Sequence, residues 1–150
     1  MKSKLFIIMC MALFLTVATH SAFAAGSAKL AVSKLTIQSG EELGAVVVLG
    51  GTGKYDVYAA IAGGILGNSI YLFTGPFQMV DASQGGLPKL MDNADIGSLS
   101  AEKRIITLMP KFAVPDGTSL AGDYTFFVAL TTPGKFDFNI VEAVTVTIKK

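Results

Sequence analysis

The residues Leu120–Leu130, with the sequence LAGDYTFFVAL, carry the clearest structural signal in this chain. From Tyr124 to Leu130 every second residue is large and apolar, which is typical of a β-strand with one buried face. A tyrosine that follows Gly122-Asp123 at the start of such a strand also predicts a tyrosine corner. In that motif the hydroxyl donates a hydrogen bond to upstream backbone. We therefore assign Tyr124 a structural role.

Similar runs recur along the rest of the chain, and glycine, proline, aspartate and serine separate them. No stretch shows the i, i+3, i+4, i+7 spacing of an amphipathic helix. The pattern predicts an all-β fold, and the number and spacing of the runs predict a single immunoglobulin-like β-sandwich of about seven strands. The strands are expected within Lys29–Gln38, Leu43–Leu49, Tyr55–Ile61, Ile70–Phe73, Arg104–Val114, Tyr124–Leu130 and Ile140–Ile148.

Three local features refine this expectation. The apolar residues change parity at Ser33-Lys34, which predicts a bulge or a strand break there. Pro110 predicts that its strand lies at a sheet edge, because proline has no N–H to donate to a ladder. The segment Asp81–Ser100 is too long for an ordinary connection. It is expected to be either a functional loop or a short helical turn that crosses between the sheets.

The beginning of the chain has the three parts of a secretory signal peptide. Two lysines precede the apolar run Leu5–Ala18, and Ala22–Ala24 supplies small residues for cleavage before Ala25. The run of about 14 residues is shorter than the roughly 20 that span a bilayer. We therefore predict a signal peptide at 1–24, one domain at 25–150, export to the periplasm or cell surface, and no membrane span after cleavage.

Cleavage would change the chemistry that the chain can support. It removes Lys2 and Lys4, which leaves ten basic and eleven acidic residues and a formal charge of −1. A nearly neutral domain has no electrostatic footprint for nucleic acid. The single cysteine, Cys10, and the single histidine, His20, are lost as well. Without them there is no Ser-His-Asp or Cys-His nucleophile and no zinc or copper ligand set, so we expect neither an enzyme nor a cofactor.

One metal hypothesis remains. Asp92, Asn93 and Asp95, with Asp81 nearby, place oxygen ligands at intervals along a polar segment, and Ca²⁺ binds several such oxygens. The EF-hand pattern is not met, because its glycine and its terminal glutamate are missing. The alternative is a solvated polar loop.

Aromatic residues are more numerous than one core face needs. Tyr58 and Phe127 lie on the faces opposite the main apolar sets of their strands. On an outer sheet face they would be contact residues for a protein partner or a sugar. The alternative is that the long segment 81–100 folds over that face and buries them.

Two segments resemble a family of bacterial secreted immunoglobulin-like β-sandwich domains. They are Tyr55–Ala60 (YDVYAA) and Ala121–Gly134 (AGDYTFFVALTTPG), and the resemblance extends over about Lys29 to Ile148. Such domains occur as free exported proteins or as C-terminal modules of larger surface proteins. The resemblance implies the fold, and it brings no catalytic residues with it.

The low fraction of charged residues indicates a protein that acts by contact with other proteins. About one residue in six of the mature chain is charged, against roughly one in four in average soluble domains. The runs Leu35–Ile37 and Ile70–Phe73 have few charged residues to oppose pairing with another chain. We therefore expect β-augmentation or face-to-face packing at these runs. We predict a non-enzymatic module that contacts a protein partner or copies of itself, and one form of this prediction is a subunit of a surface assembly. The alternative is a small-ligand or carbohydrate binder that uses the outer aromatics.

Overall fold

The computed structural model describes residues 25–117 and 119–150, so the predicted signal peptide lies outside the described residues. The all-β prediction is confirmed, since only strands and short 3₁₀ turns occur in these ranges. No helix in this part of the chain is long and apolar enough to cross a membrane. The strands are β1 (Ser27–Val32), β2 (Thr36–Ile37), β3 (Glu42–Gly50), β4 (Lys54–Gly63), β5 (Ile70–Gly75), β6 (Gln78–Asp81), β7 (Met91–Asp95), β8 (Ile105–Ala113), β9 (Gly122–Thr131) and β10 (Ile140–Ile148).

The strands form two sheets. The smaller sheet has the order β1-β3-β8, and the larger has the order β2-β10-β9-β4-β5-β6, with β7 also paired to β4. All neighbours run antiparallel except β2, which is parallel to β10. Pro110 lies in β8, at the edge of the smaller sheet, as its missing N–H predicts.

The predicted break at Ser33 transfers the chain from one sheet to the other. β1 ends just before Ser33 and pairs in the smaller sheet, whereas β2 begins just after it and pairs in the larger. The Ser33 hydroxyl donates to the Glu42 carbonyl at 2.8 Å and accepts from the Gly44 N–H at 3.1 Å. These bonds satisfy backbone groups of β3 where the ladder with β1 stops.

Alternating side chains of both sheets meet in one hydrophobic core. Val47 and Leu108 come from the smaller sheet, and Phe73, Phe126 and Leu130 from the larger; all five are fully buried. The Phe73 and Phe126 rings are stacked with centroids 6.4 Å apart. Burial of each such side chain contributes about 1.5–3 kcal/mol, so this core holds the two sheets together.

Three expectations need correction. The described residues contain ten strands instead of about seven. The segment 81–100 contains a strand, β7, together with 3₁₀ turns at Ala82–Gln84 and Ile96–Ser98. The run Ile70–Phe73 is not an exposed edge, because β5 lies between β4 and β6. Strands as short and polar as β7 (MDNAD) have no apolar alternation, and their pairing with β4 is decided by long-range contacts.

Candidate functional site

The outer face of the larger sheet has an apolar floor. Residues of one parity on neighbouring strands point away from the core, and the register aligns them: Tyr58 lies opposite Ala129, and Ala60 opposite both Phe127 and Leu72. Tyr58, Leu72 and Ala129 form a second buried cluster apart from the main core. Tyr58 and Phe127 therefore lie on the same face of the larger sheet, on the side away from the main core.

A groove of about 300 Å³ lies on this floor, between the segment that follows β6 and the connection between β9 and β10. Ile70, Ala82 and Leu87 line one side, and Phe138 and Val141 line the other. None of the described residues that line the groove carries a charge. Apolar groups are therefore the partners that it can accept without leaving a polar group unpaired.

An aromatic ridge borders the groove; we define it as Phe136, Phe138 and Val141. Their side chains are 64%, 45% and 58% exposed. The two phenylalanines belong to the connection between β9 and β10, which Asp137 holds by accepting the Thr132 N–H at 2.8 Å. Phe138 has a positive φ of 35°, a backbone conformation that is uncommon outside glycine.

The ridge also corrects the role predicted for Tyr58. Its ring lies 6.3 Å from the rings of both Phe136 and Phe138, and it is only 5% exposed. Tyr58 is therefore buried and is not an outer contact residue, while Phe127 is half-buried in the groove floor. The exposed aromatics lie on a turn instead of a strand, where alternation gives no signal about which face they cover.

Asp56 anchors both walls of the groove. It is fully buried on the outer side of β4. Its Oδ1 accepts the Asn93 N–H at 2.8 Å, and its Oδ2 accepts the Gly134 N–H at 2.8 Å and lies 2.8 Å from Lys89 Nζ. Gly134 belongs to the segment that carries the ridge, and Lys89 to the segment of the opposite wall. The sequence did not identify this residue, although an aspartate inside an apolar strand is a signal of a paired buried charge.

The electrostatics of this carboxylate follow from its partners. Burial by itself raises the pKa of Asp56, but the hydrogen bonds from Lys89, Gly134 and Asn93 outweigh it and lower that pKa to about 2. In turn, hydrogen bonds to the carboxylates of Asp56 and Asp92 raise the pKa of Lys89. The ion pair is therefore charged at neutral pH, and its partners replace the water that burial removes.

The residues of the calcium hypothesis are not brought together as ligands. They lie on β7, where Asp92 and Asn93 form a bulge opposite Asp56. The Asp92 carboxylate is bound by Lys89, and the Asn93 backbone is bound by Asp56. Within residues 25–117 and 119–150 no three His, Cys, Asp or Glu side chains form a group that could hold a metal ion.

Comparison of the chain with protein-family models, curated proteins and solved structures found no match.

Proposed function

We propose that this chain is an exported, non-enzymatic, immunoglobulin-like β-sandwich module that acts by protein–protein contact in the periplasm or at the cell surface. The observation that carries the proposal is an exposed aromatic ridge beside an uncharged apolar groove on one sheet face. Large apolar side chains that remain exposed together are typical of interaction sites.

Strand order supports the immunoglobulin-like part of the proposal. The series β10-β9-β4-β5-β6 opposite β1-β3-β8 has the same order as the G-F-C-C′-C″ and A-B-E strands of variable-type domains. The Tyr124 hydroxyl donates to the Leu120 carbonyl at 2.8 Å, at the start of the strand equivalent to F. Two departures remain: β7 pairs with β4 instead of extending the smaller sheet, and the mature chain has no cysteine for an inter-sheet disulfide.

The partner that fits this face best is a second copy of the chain. A ridge and a groove that lie side by side on one face are self-complementary under a two-fold axis, because each ridge can enter the other groove. The groove of about 300 Å³ is twice the roughly 150 Å³ that accommodates one benzene ring. It therefore has room for the two phenylalanine rings of the partner's ridge. The uncharged lining leaves no like charges opposed across the axis.

The size of the face predicts a weak dimer. Five strands about 4.8 Å apart and about 20 Å of strand length give roughly 500 Å² per copy. Two such faces bury about 1,000 Å², which is the low end for specific interfaces. We therefore expect association that depends on concentration, as in a subunit that joins an assembly reversibly.

Sedimentation equilibrium on residues 25–150 tests the contact. The wild type is expected to dimerise in the micromolar to millimolar range, and the double variant Phe136→Ser/Phe138→Ser to remain monomeric. Ile105→Ser is the matched control, since Ile105 is exposed on the smaller sheet, and it should dimerise like the wild type. A wild type that stays monomeric at about 1 mM, or a ridge variant that dimerises normally, would overturn the second-copy proposal.

The alternative of a carbohydrate binder has less support. A sugar presents hydroxyl groups that need hydrogen-bond partners, and the groove lining consists of alanine, aliphatic and aromatic residues with one tyrosine, Tyr58, which is nearly covered. If the chain does bind a sugar, titration should shift the NMR signals of Tyr58 or Phe127. Absence of such shifts is the result that we expect.

Export rests on the lysines, the apolar run and Ala22–Ala24 at the beginning of the chain. The mature protein is expected to begin at Ala25. N-terminal sequencing of material secreted by the native route checks this, and a sequence that begins at Met1 would contradict it.

A further inference from the structure

A second cavity lies between the two sheets at the end of β4 that is remote from Asp56. Its volume is about 220 Å³. Leu43, Ile61 and Ile148 are buried and form its deep part, and they come from β3, β4 and β10. Ile65 and Met79 lie at its exposed side. It shares no lining residue with the groove of the outer face.

The lining is chemically uniform. Nine of the ten residues that line the cavity are leucine, isoleucine, methionine or phenylalanine, and the tenth is Tyr124. The Tyr124 hydroxyl is already engaged, because it donates to the Leu120 carbonyl and accepts the Ile65 N–H at 3.3 Å. The described lining therefore offers a ligand neither a charge nor a tyrosine hydroxyl that lacks a partner.

The turn at the cavity mouth has a backbone that glycine makes possible. Gly63, Gly64 and Gly67 flank or begin the turn Gly64–Leu66 and have φ values of 93°, 55° and 62°. A Cβ on Gly64 would lie 2.2 Å from the Tyr124 ring. The turn can thus lie directly on the ring, and this position brings Ile65 and Leu66 to the cavity.

We propose that this cavity binds a small, uncharged, apolar molecule about the size of a single ring. An apolar cavity of roughly 150 Å³ accommodates benzene, and this one is larger. A charged group would lose its hydration there without gaining a partner, which strongly opposes binding. The cavity therefore selects against charge among molecules of equal size.

Benzene and benzoate are the matched probes, because they share the ring and differ in one carboxylate. Each is titrated into residues 25–150 labelled at the isoleucine and leucine methyl groups. Benzene is expected to give saturable shifts at Leu43, Ile61 and Ile148, and benzoate to bind at least tenfold more weakly. Benzoate binding as tight as benzene, or the absence of saturable shifts, would overturn the proposal.

Two variants assign the site. Leu66→Phe adds a ring at the cavity mouth and should weaken benzene binding at least tenfold. Ala60→Phe adds the same ring to the outer groove and should leave benzene binding unchanged. The opposite result would place the ligand in the outer groove and overturn the proposal. If Leu66→Phe does not fold, methyl shifts in the wild type at Leu72 instead of at Ile61 and Ile148 would have the same meaning.

Discussion

Asp56 links three parts of the chain that lie far apart in sequence. Its partners Asn93 and Gly134 are 37 and 78 residues away. Hydrogen bonds from two backbone N–H groups and an ion pair with a lysine compensate for the burial of this carboxylate. Loss of one partner would leave a buried charge that is not fully paired. The residue therefore positions both walls of the outer groove, although it does not line the groove itself.

This carboxylate predicts a loss of stability in acid. Its folded pKa of about 2 lies below the ordinary value of 3.8 for an aspartate side chain. A depressed folded pKa contributes stability that is present above the unfolded pKa and is lost as the pH falls through the folded value. We expect Asp56 to contribute about 2 kcal/mol above pH 4, from the size of the pKa difference, and to lose most of it by about pH 2.

Urea denaturation between pH 2 and 7 measures this effect. Asp56→Asn should lower the free energy of unfolding at pH 7 by about 3 kcal/mol and should flatten its pH dependence below pH 4. The control Asp92→Asn, at an exposed carboxylate that also binds Lys89, should cost less than about 1 kcal/mol. Equal effects of the two substitutions would show that the buried position of Asp56 is not what matters.

Tyr124 provides the second prediction at the level of the single residue. Its hydroxyl joins the turn before β9 to the turn after β4 through Leu120 and Ile65. Tyr124→Phe keeps the ring and removes both bonds, so the free energy of unfolding should fall by about 1 kcal/mol. An unchanged denaturation midpoint would mean that the ring alone is important.

At the level of the elements, the open edges of the smaller sheet are partly covered. On β1 the Leu30 N–H donates to Glu142 Oε1 at 3.2 Å, and Lys29 forms an ion pair with the same carboxylate at 3.0 Å. On β8 the Leu108 carbonyl accepts the Phe77 N–H at 3.0 Å. Covered edges oppose pairing with another chain, which favours contact through the outer face over β-augmentation at these strands.

The transfer of the chain between sheets depends on Ser33. Ser33→Ala removes the partner of the buried Gly44 N–H and of the Glu42 carbonyl. We expect the free energy of unfolding to fall by about 1–2 kcal/mol, because the buried Gly44 N–H is left without a partner, whereas the carbonyl of the exposed Glu42 can bond to water. Ser100→Ala, at an exposed position, is the control in the same thermal or urea measurement and should change it by less than about 0.5 kcal/mol. A similar small change for both would contradict a role for the Ser33 hydroxyl.

At the level of the whole molecule, the charged side chains that form ion pairs lie apart from the apolar groove of the proposed contact. Residues 25–150 have a formal charge near zero, and the charged pairs that include Asp56 and Glu142 lie outside the apolar groove lining. Association through the groove and ridge should therefore not be screened by salt. The dimer dissociation constant from sedimentation equilibrium should agree within about twofold between low and high NaCl. A strong weakening in high salt would indicate an interface that uses ion pairs.

Local pattern was sufficient for the all-β class, the break at Ser33, the edge position of Pro110 and the hydrogen bond of Tyr124. Each of these depends on neighbours within a few residues, because strand alternation, proline chemistry and a short corner are local properties. The hydrogen bonds and the ion pair at Asp56 could not be predicted in this way. It exists because folding brings three distant segments to one carboxylate.

The outer groove with its ridge and the cavity beside Tyr124 could not be predicted from the sequence either, because both form only when distant segments come together. Phe136 and Phe138 have no alternation to place them, and only the folded turn sets their rings over Tyr58. The cavity beside Tyr124 is a space between the sheets, and its lining residues Leu43, Ile61 and Ile148 come from three different strands. The periodicity of a strand predicts which of its faces is apolar. The tertiary arrangement determines whether that face packs against other residues, borders a cavity or remains exposed to solvent.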